Sequence, residues 1–365
     1  MRAITFVLAA FIAGLSATGA AAAVGSRTFA VIDPARADSL VADQPRTWMV
    51  QVFYPAAEGD GTATSYAADD ALLQWLIARG YYETPADQLA AWAERPAPFR
   101  TDARPADGPD RPLVVLAPGM GVARLNYAGL ASALVDAGYV VAVVDLPYLG
   151  ISRLPDGRIL TAQDDPLLAS DDPNAAAPRL RAWVEDVSDS LDRVLAETDL
   201  GIDARRIAVA GHSMGGAVAL DVCRGDPRVS ACANFEGAPF GTETQTRGAG
   251  RPSLMVLSLP RRAEPEAPRF GALRAEMFAM LNAGEAPGWV VAVTGGGHMS
   301  FSDAPEVMPG ALTRFGGELM TASRSRTVYV TLLDRFLDQA WSRGAQTFER
   351  SLGDLPEVTS VLSPD

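Results

Sequence analysis

Apolar positions along this chain fall into two alternating rhythms. Short runs of aliphatic, β-branched or aromatic residues lie at 28–33, 48–54, 113–117, 139–145, 206–211, 230–235, 253–258 and 289–294. From 113 onward these runs are nearly unbroken, which predicts strands buried on both faces of a sheet. Between them, apolar residues recur at three- and four-residue steps, the spacing that turns one side of a helix toward a core. The clearest example is 183–198, where Val184, Val187, Leu191 and Val194 share a face; shorter helices are predicted over 71–79, 86–94, 127–137, 215–224 and 328–340. Strands alternating with helices imply the α/β class: a mostly parallel central sheet covered by helices on both faces, with right-handed connections. The Pro-rich stretch 96–112 reads as a link. Residues 149–179 read as an insertion over the pocket, in which Asp164, Asp165, Asp171 and Asp172 would disfavour anionic substrates. No linker divides residues 24–365, so they are expected to form one domain.

The first 23 residues follow a different pattern. Arg2 precedes an uncharged apolar stretch, Ala3 to Leu15, and small residues then run from Ser16 to Ala23 with several A-x-A-like sites. This is the layout of a secretory signal peptide, so residues 1–23 are expected to be removed and the protein exported to the periplasm or beyond, with no stable membrane insertion afterwards. By length alone the run to Val24 would also suit a retained helix, but its second half is Ala, Gly, Ser and Thr rather than membrane-core residues. Export bears on Cys223 and Cys232, the two cysteines: in an oxidising compartment they can pair, and as small hydrophobes they can equally sit unpaired in the core.

Composition narrows the function classes. Of the 365 residues, 48% are hydrophobic and 21% charged, which suits a globular chain with a large core. The formal net charge is −13, and no Lys/Arg-rich stripe is present. Nucleic acid and anionic lipid surfaces are therefore not expected partners.

The chemistry is concentrated at Gly211-His212-Ser213-Met214-Gly215-Gly216, a G-x-S-x-G sequence lying between a predicted strand and a predicted helix. Such a turn holds a serine in strained backbone geometry above the carboxyl edge of a sheet, and the flanking glycines leave room for it. A serine hydroxyl needs a base, and the chain has only two histidines. His212 sits beside Ser213 on the turn, where its side chain should point away; it reads as a packing and hydrogen-bonding residue. His298 follows the strand at 289–294 and three glycines, where a loop can present it to Ser213. The acid that orients the base is expected to be Glu236, at the end of the strand after the nucleophile helix; Glu264 and Glu266, in a Pro/Arg-rich loop, compete for the role. The two N–H groups of an oxyanion hole would come from Met214 and, in the loop Pro118-Gly119-Met120-Gly121, from Met120. With so few His and Cys, neither a metal nor an organic cofactor is expected.

These segments, taken together, resemble the platelet-activating factor acetylhydrolase and dienelactone-hydrolase-like branch of the α/β-hydrolases. The similar stretches are Val52-Phe53-Tyr54-Pro55-Ala56, residues 118–127, Gly138-Tyr139-Val140-Val141, residues 211–216, Asn234 to Gly237, and His298-Met299-Ser300-Phe301-Ser302-Asp303. The resemblance implies an ester hydrolase for short or oxidised acyl chains, with its acid at the position of Glu236 and an oxyanion donor at the position of Met120. Two departures stand out. The family pattern has Asp where this chain has Glu236, and His-Gly where it has Pro118-Gly119. The expected reaction is hydrolysis of a small-molecule carboxylic ester through an acyl-enzyme. An amidase or thioesterase would use the same residues, and a non-catalytic binding protein on a hydrolase scaffold is the alternative of a different class.

Overall fold

The computed structural model describes residues 23–67, 69–80, 84–168, 176–259, 268–307, 320–342 and 347–363. The expected signal segment up to residue 22, Asp171, Asp172, Glu264 and Glu266 lie outside these residues. The chain begins with β1 (Ala23–Ala37), β2 (Pro45–Ala56), β3 (Thr62–Ser65), α1 (Asp70–Ala78), α2 (Ala86–Ala93) and β4 (Pro96–Thr101). It continues through β5 (Arg111–Ala117), α3 (Ala128–Asp136), β6 (Val140–Val144), the short pair β7 (Ser152–Arg153) and β8 (Ile159–Leu160), and α4 (Ala177–Leu195). Then follow β9 (Ile202–His212), α5 (Met214–Gly225), β10 (Ala231–Phe235), α6 (Thr242–Arg247), β11 (Ser253–Leu259), α7 (Pro268–Asn282) and β12 (Gly288–Thr294). The last elements are α8 (Ala304–Val307), α9 (Ala322–Trp341), α10 (Phe348–Ser351) and β13 (Val358–Leu362).

Among the described residues the strands other than β7 and β8 form one eleven-stranded sheet, in the order β13-β12-β11-β10-β9-β5-β6-β2-β1-β4-β3. Its centre, β6-β5-β9-β10-β11-β12, is parallel throughout. Antiparallel pairings border it, β2 on β6 at one side and β13 on β12 at the other. The two-residue period of a strand sends alternate side chains to opposite cores. Val114, Leu116, Val141, Val143, Ala208 and Ala210 face the layer holding α3 and α9, with Tyr127, Leu134, Val328 and Phe336. Leu113, Val115, Val140, Ala142 and Val209 face the layer of α4, α5 and α7, with Trp183, Val187, Leu191 and Met277. Each fully buried Leu, Val or Phe contributes about 1.5–3 kcal/mol, so both layers stabilise the sheet that carries the site. Polar atoms on these aromatic rings are satisfied: Trp183 Nε1 donates to the Pro147 carbonyl (2.8 Å) and Trp48 Nε1 to Ser190 Oγ (2.8 Å).

The predicted strands and helices all find counterparts, and the corrections lie at the margins. The stretch 96–112 is not a plain link, because it holds β4 and the start of β5. Pro96 and Pro98 are tolerated there since β4 lies near the outer edge of the sheet and pairs with β1 through only Gly25 with Arg100 and Ser26 with Thr101. The half-exposed β13, the short β3 and helices α6 and α7 carried no strong periodicity in the sequence. Within the insertion, Asp165 is fully buried and paired with Arg179, and Asp164 accepts the Thr161 amide (2.8 Å). Asp165 therefore offers no free charge to repel an anionic substrate, contrary to the expectation. Cys223 in α5 and Cys232 in β10, with Cα atoms 6.0 Å apart, are joined as a disulfide. It ties the helix after Ser213 to the neighbouring strand.

Candidate active site

The site is built on the carboxyl ends of β9, β10 and β12. At the end of β9 the backbone turns abruptly into α5 with Ser213 at φ 55°, ψ −125°. A non-glycine residue there is strained, and neighbouring backbone must fit closely to hold it. The glycines permit that fit. A Cβ on Gly211 would lie 2.0 Å from the Gly215 carbonyl oxygen, and one on Gly215 would lie 2.4 Å from those of Ala117 and Pro118. The Ser213 N–H donates to the Phe235 carbonyl (2.8 Å), fixing the turn to the end of β10. Ser213 thus sits at the N-cap of a twelve-residue helix, whose dipole favours developing negative charge.

One strand further along, the chain turns again at Glu236, also at positive φ (62°). Glu236 is 7% exposed, and its amide donates to the Val256 carbonyl (2.9 Å). The turn is held by Asn234, whose Oδ1 accepts the Gly237 N–H (2.7 Å) and whose Nδ2 donates to the Gly237 carbonyl (2.8 Å). After β12, Gly295 turns at φ 86° and a short 3-10 turn, His298–Phe301, presents the imidazole. His298 Nδ1 lies 3.2 Å from Glu236 Oε2. A carboxylate only accepts, so Nδ1 carries the proton in this pair and Nε2 is the basic nitrogen. The structure thus brings Glu236 and His298 together, and places Ser213 on the turn packed beside that of Glu236.

His212, next to Ser213, makes its contacts within the protein interior. It is buried, with Nε2 2.7 Å from the His298 carbonyl oxygen and Nδ1 2.9 Å from the Tyr127 hydroxyl. Its ring lies 4.9 Å from that of His298 and 5.6 Å from that of Phe301, centroid to centroid. Burial, and then the facing His298, hold its pKa well below the usual imidazole range. It is therefore a poor proton acceptor. A second tie sits at the far end of the same loop. The Asp303 N–H donates to the Asn126 carbonyl (2.6 Å), while its carboxylate accepts the Gly129 N–H (2.7 Å) and the Tyr66 hydroxyl and pairs with Arg326. Burial pushes the Asp303 carboxyl up to about 6.

The loop after β5 passes close to Ser213: a Cβ on Gly119 would lie 3.4 Å from Ser213 Cβ. Its other amides are spent inside the protein. Gly119 donates to the Tyr127 hydroxyl (2.9 Å), Gly121 to the Leu149 carbonyl (2.8 Å) and Val122 to the Gly119 carbonyl (3.2 Å). The N–H groups of Met120 and of Met214, the first residue of α5, meet no acceptor among the described residues. The Met120 side chain is 51% exposed. A cavity of about 530 Å³ is lined by Leu125 and Ala128, just beyond this loop, with Met49, Phe99 and Ile151; Ser213, Glu236 and His298 do not line it. Tyr127, Asn234 and Asp303 lie within stretches 118–127, 234–237 and 298–303, but the sequence alone does not show the supporting parts they play. For Asn234 a signal was present, since Asn three residues before Gly is a side-chain-closed turn in waiting.

Comparison with known proteins agrees with this fold. Residues 108–257 match the family model Hydrolase_4, described as serine aminopeptidase, S33. The solved ferulic acid esterase from Streptomyces cinnamoneus superposes with a TM-score of 0.72 at 29% identity, over 89% of this chain and 92% of that one. The chain belongs to the α/β-hydrolase superfamily. This α/β-hydrolase is also 27% identical over 219 residues to "Probable 1-alkyl-2-acetylglycerophosphocholine esterase" of Arthroderma benhamiae. That match takes in 57% of this chain and 54% of the relative, so the chain spans about half the length of that protein.

Proposed function

We propose that this α/β-hydrolase is a serine carboxylic ester hydrolase that works through an acyl-enzyme on small acyl esters. The observation that carries the reading is the Glu236–His298 pair beside a serine held at φ 55° on the turn into α5. Ser213 Oγ attacks the ester carbonyl while His298 Nε2 takes its proton. The Glu236 carboxylate stabilises the imidazolium and holds the ring in the tautomer the reaction needs. The tetrahedral oxyanion is met by the Met120 and Met214 N–H groups, which meet no competing acceptor among the described residues. The alcohol leaves with the proton from His298, and water, activated by the same base, releases the acid from Ser213.

Two similar proteins are esterases by name, which supports the ester over the amide. The family model is described as an aminopeptidase, so the amide is the second reading. Rates on matched ester, amide and thioester separate them. The ester is expected to exceed the amide by orders of magnitude, with activity on p-nitrophenyl esters falling as the acyl chain lengthens; a faster amide would overturn the assignment. A fluorophosphonate should label Ser213, and failure to label would point to a non-catalytic scaffold. We also place the mature protein outside the cytoplasm, beginning near Val24. The layout of residues 1–23 supports this, as does the Cys223–Cys232 disulfide, a bond that persists in oxidising compartments.

A further inference from the structure

The hydrogen bonds around His212 can run in only one direction. The Gly119 N–H is a donor, so the Tyr127 hydroxyl must accept it (2.9 Å), which leaves the single phenolic proton for His212 Nδ1 (2.9 Å). At the other side of the ring, the His298 carbonyl is an acceptor, so Nε2 carries the imidazole proton and donates it (2.7 Å). One neutral ring, in one tautomer, therefore connects the backbone of the loop carrying Met120 to the backbone of the residue that carries the base.

We infer that His212 is a positioning residue: it sets the spacing between the Met120 loop and His298, through Tyr127 at one edge of its ring and the His298 carbonyl at the other. The inference rests on the reading of Ser213 and His298 as nucleophile and base. It accounts for why a second histidine sits against the first. The Gly119 segment leads directly to the Met120 amide, and the His298 carbonyl belongs to the residue whose side chain takes the proton. Moving either backbone moves a group that must meet the transition state. Because both ring nitrogens of His212 are already engaged, with the Tyr127 hydroxyl and the His298 carbonyl, the proton lost by Ser213 goes to His298 rather than to the nearer residue in sequence. Phe301, packed on the ring, blocks it from swinging out of register.

The test uses His212→Leu, His212→Gln and Tyr127→Phe in the full-length protein, read by thermal melting, by kcat and KM on p-nitrophenyl acetate, and by the rate of fluorophosphonate labelling. His212→Leu is expected to lower kcat and the labelling rate by about 100-fold while KM stays within about twofold, as for a displaced catalytic geometry. Gln places one acceptor and one donor on a planar amide, so His212→Gln should recover about tenfold or more of that loss. Tyr127→Phe should lower kcat by about tenfold, and its combination with His212→Leu should cost little more than His212→Leu alone, because both cut the same connection. Folded His212→Leu with wild-type kcat, or a Gln variant no better than Leu, would overturn the inference. Should His212→Leu fail to fold, folded Tyr127→Phe decides by itself, with unchanged kcat counting against the proposal. Wild-type protein that does not label at all would instead refute the underlying reading of Ser213.

Discussion

The turns that end β9 and β10 pose the same problem and solve it differently. Each puts a non-glycine residue at positive φ, Ser213 at 55° and Glu236 at 62°, a conformation that costs of order 1–3 kcal/mol and lasts only where its surroundings enforce it. At Ser213 the enforcement is backbone on backbone, through Gly211 and Gly215. At Glu236 it is largely one side chain, Asn234, closing on both polar groups of Gly237. The two turns also lean on each other. A Cβ on Gly237 would lie 2.0 Å from the Ser213 carbonyl oxygen, and one on Gly216 would lie 2.2 Å from Asn234 Oδ1. Strain at the serine is thus supported from the neighbouring strand, and the orientation of the acid is tied to that of the nucleophile.

The largest expected effect comes from removing the chemistry of the first turn without its geometry. Ser213→Ala keeps a Cβ at the strained position but no nucleophile. Turnover should fall by about 10⁵–10⁶-fold and fluorophosphonate labelling should vanish from the intact mass. A nearly unchanged melting temperature would show that the hydroxyl is not what holds the turn. Retained turnover would move the nucleophile elsewhere.

The corresponding change at the second turn is Glu236→Gln, which preserves shape and replaces a carboxylate with an amide. The imidazolium would lose its counter-charge and the tautomer its guide, at a cost of about 10²–10⁴-fold in kcat. Glu264→Gln and Glu266→Gln are expected to change kcat little. A crippled Glu264→Gln or Glu266→Gln beside an active Glu236→Gln would transfer the acid to the later loop and dissolve the comparison between the turns.

How far the sequence announces each turn follows from the same contrast. Backbone-enforced strain demands glycine, so Gly211, Gly215 and Gly216 mark the nucleophile in one short stretch. The buried parallel strands were legible for a similar reason, since runs such as Val140–Val144, covered on both faces, must be apolar throughout. Strain enforced by a side chain leaves a fainter trace: Asn234 is one polar residue at the end of an apolar strand. The ties made by His212, Tyr127 and Asp303 join positions about 85 and 175 residues apart, and no local spacing encodes such a pairing. Strands at or near the sheet edges, such as β4 and β13, are harder to read because partial exposure relaxes the apolar pattern.

The smallest effect expected at these two turns is also the most informative about them, and it comes from Asn234→Ala. This substitution leaves Ser213, Glu236 and His298 in place and removes both hydrogen bonds that close the second turn. Gly237 is buried, so its N–H would be left without the acceptor it now has at 2.7 Å, a loss of about 1–3 kcal/mol. For a chain of this size that corresponds to a fall of roughly 2–10 °C in melting temperature. The carboxylate would still be present, so turnover should drop by about tenfold rather than by the factor seen for Glu236→Gln, and KM should hardly move. Because Gly237 packs on the Ser213 carbonyl, part of that drop should also appear in the fluorophosphonate labelling rate, which reads the first turn through its own nucleophile. If Asn234→Ala melts and turns over like the wild type, the acid turn is held by Gly237 and its strand neighbours alone, and the two turns are built the same way after all.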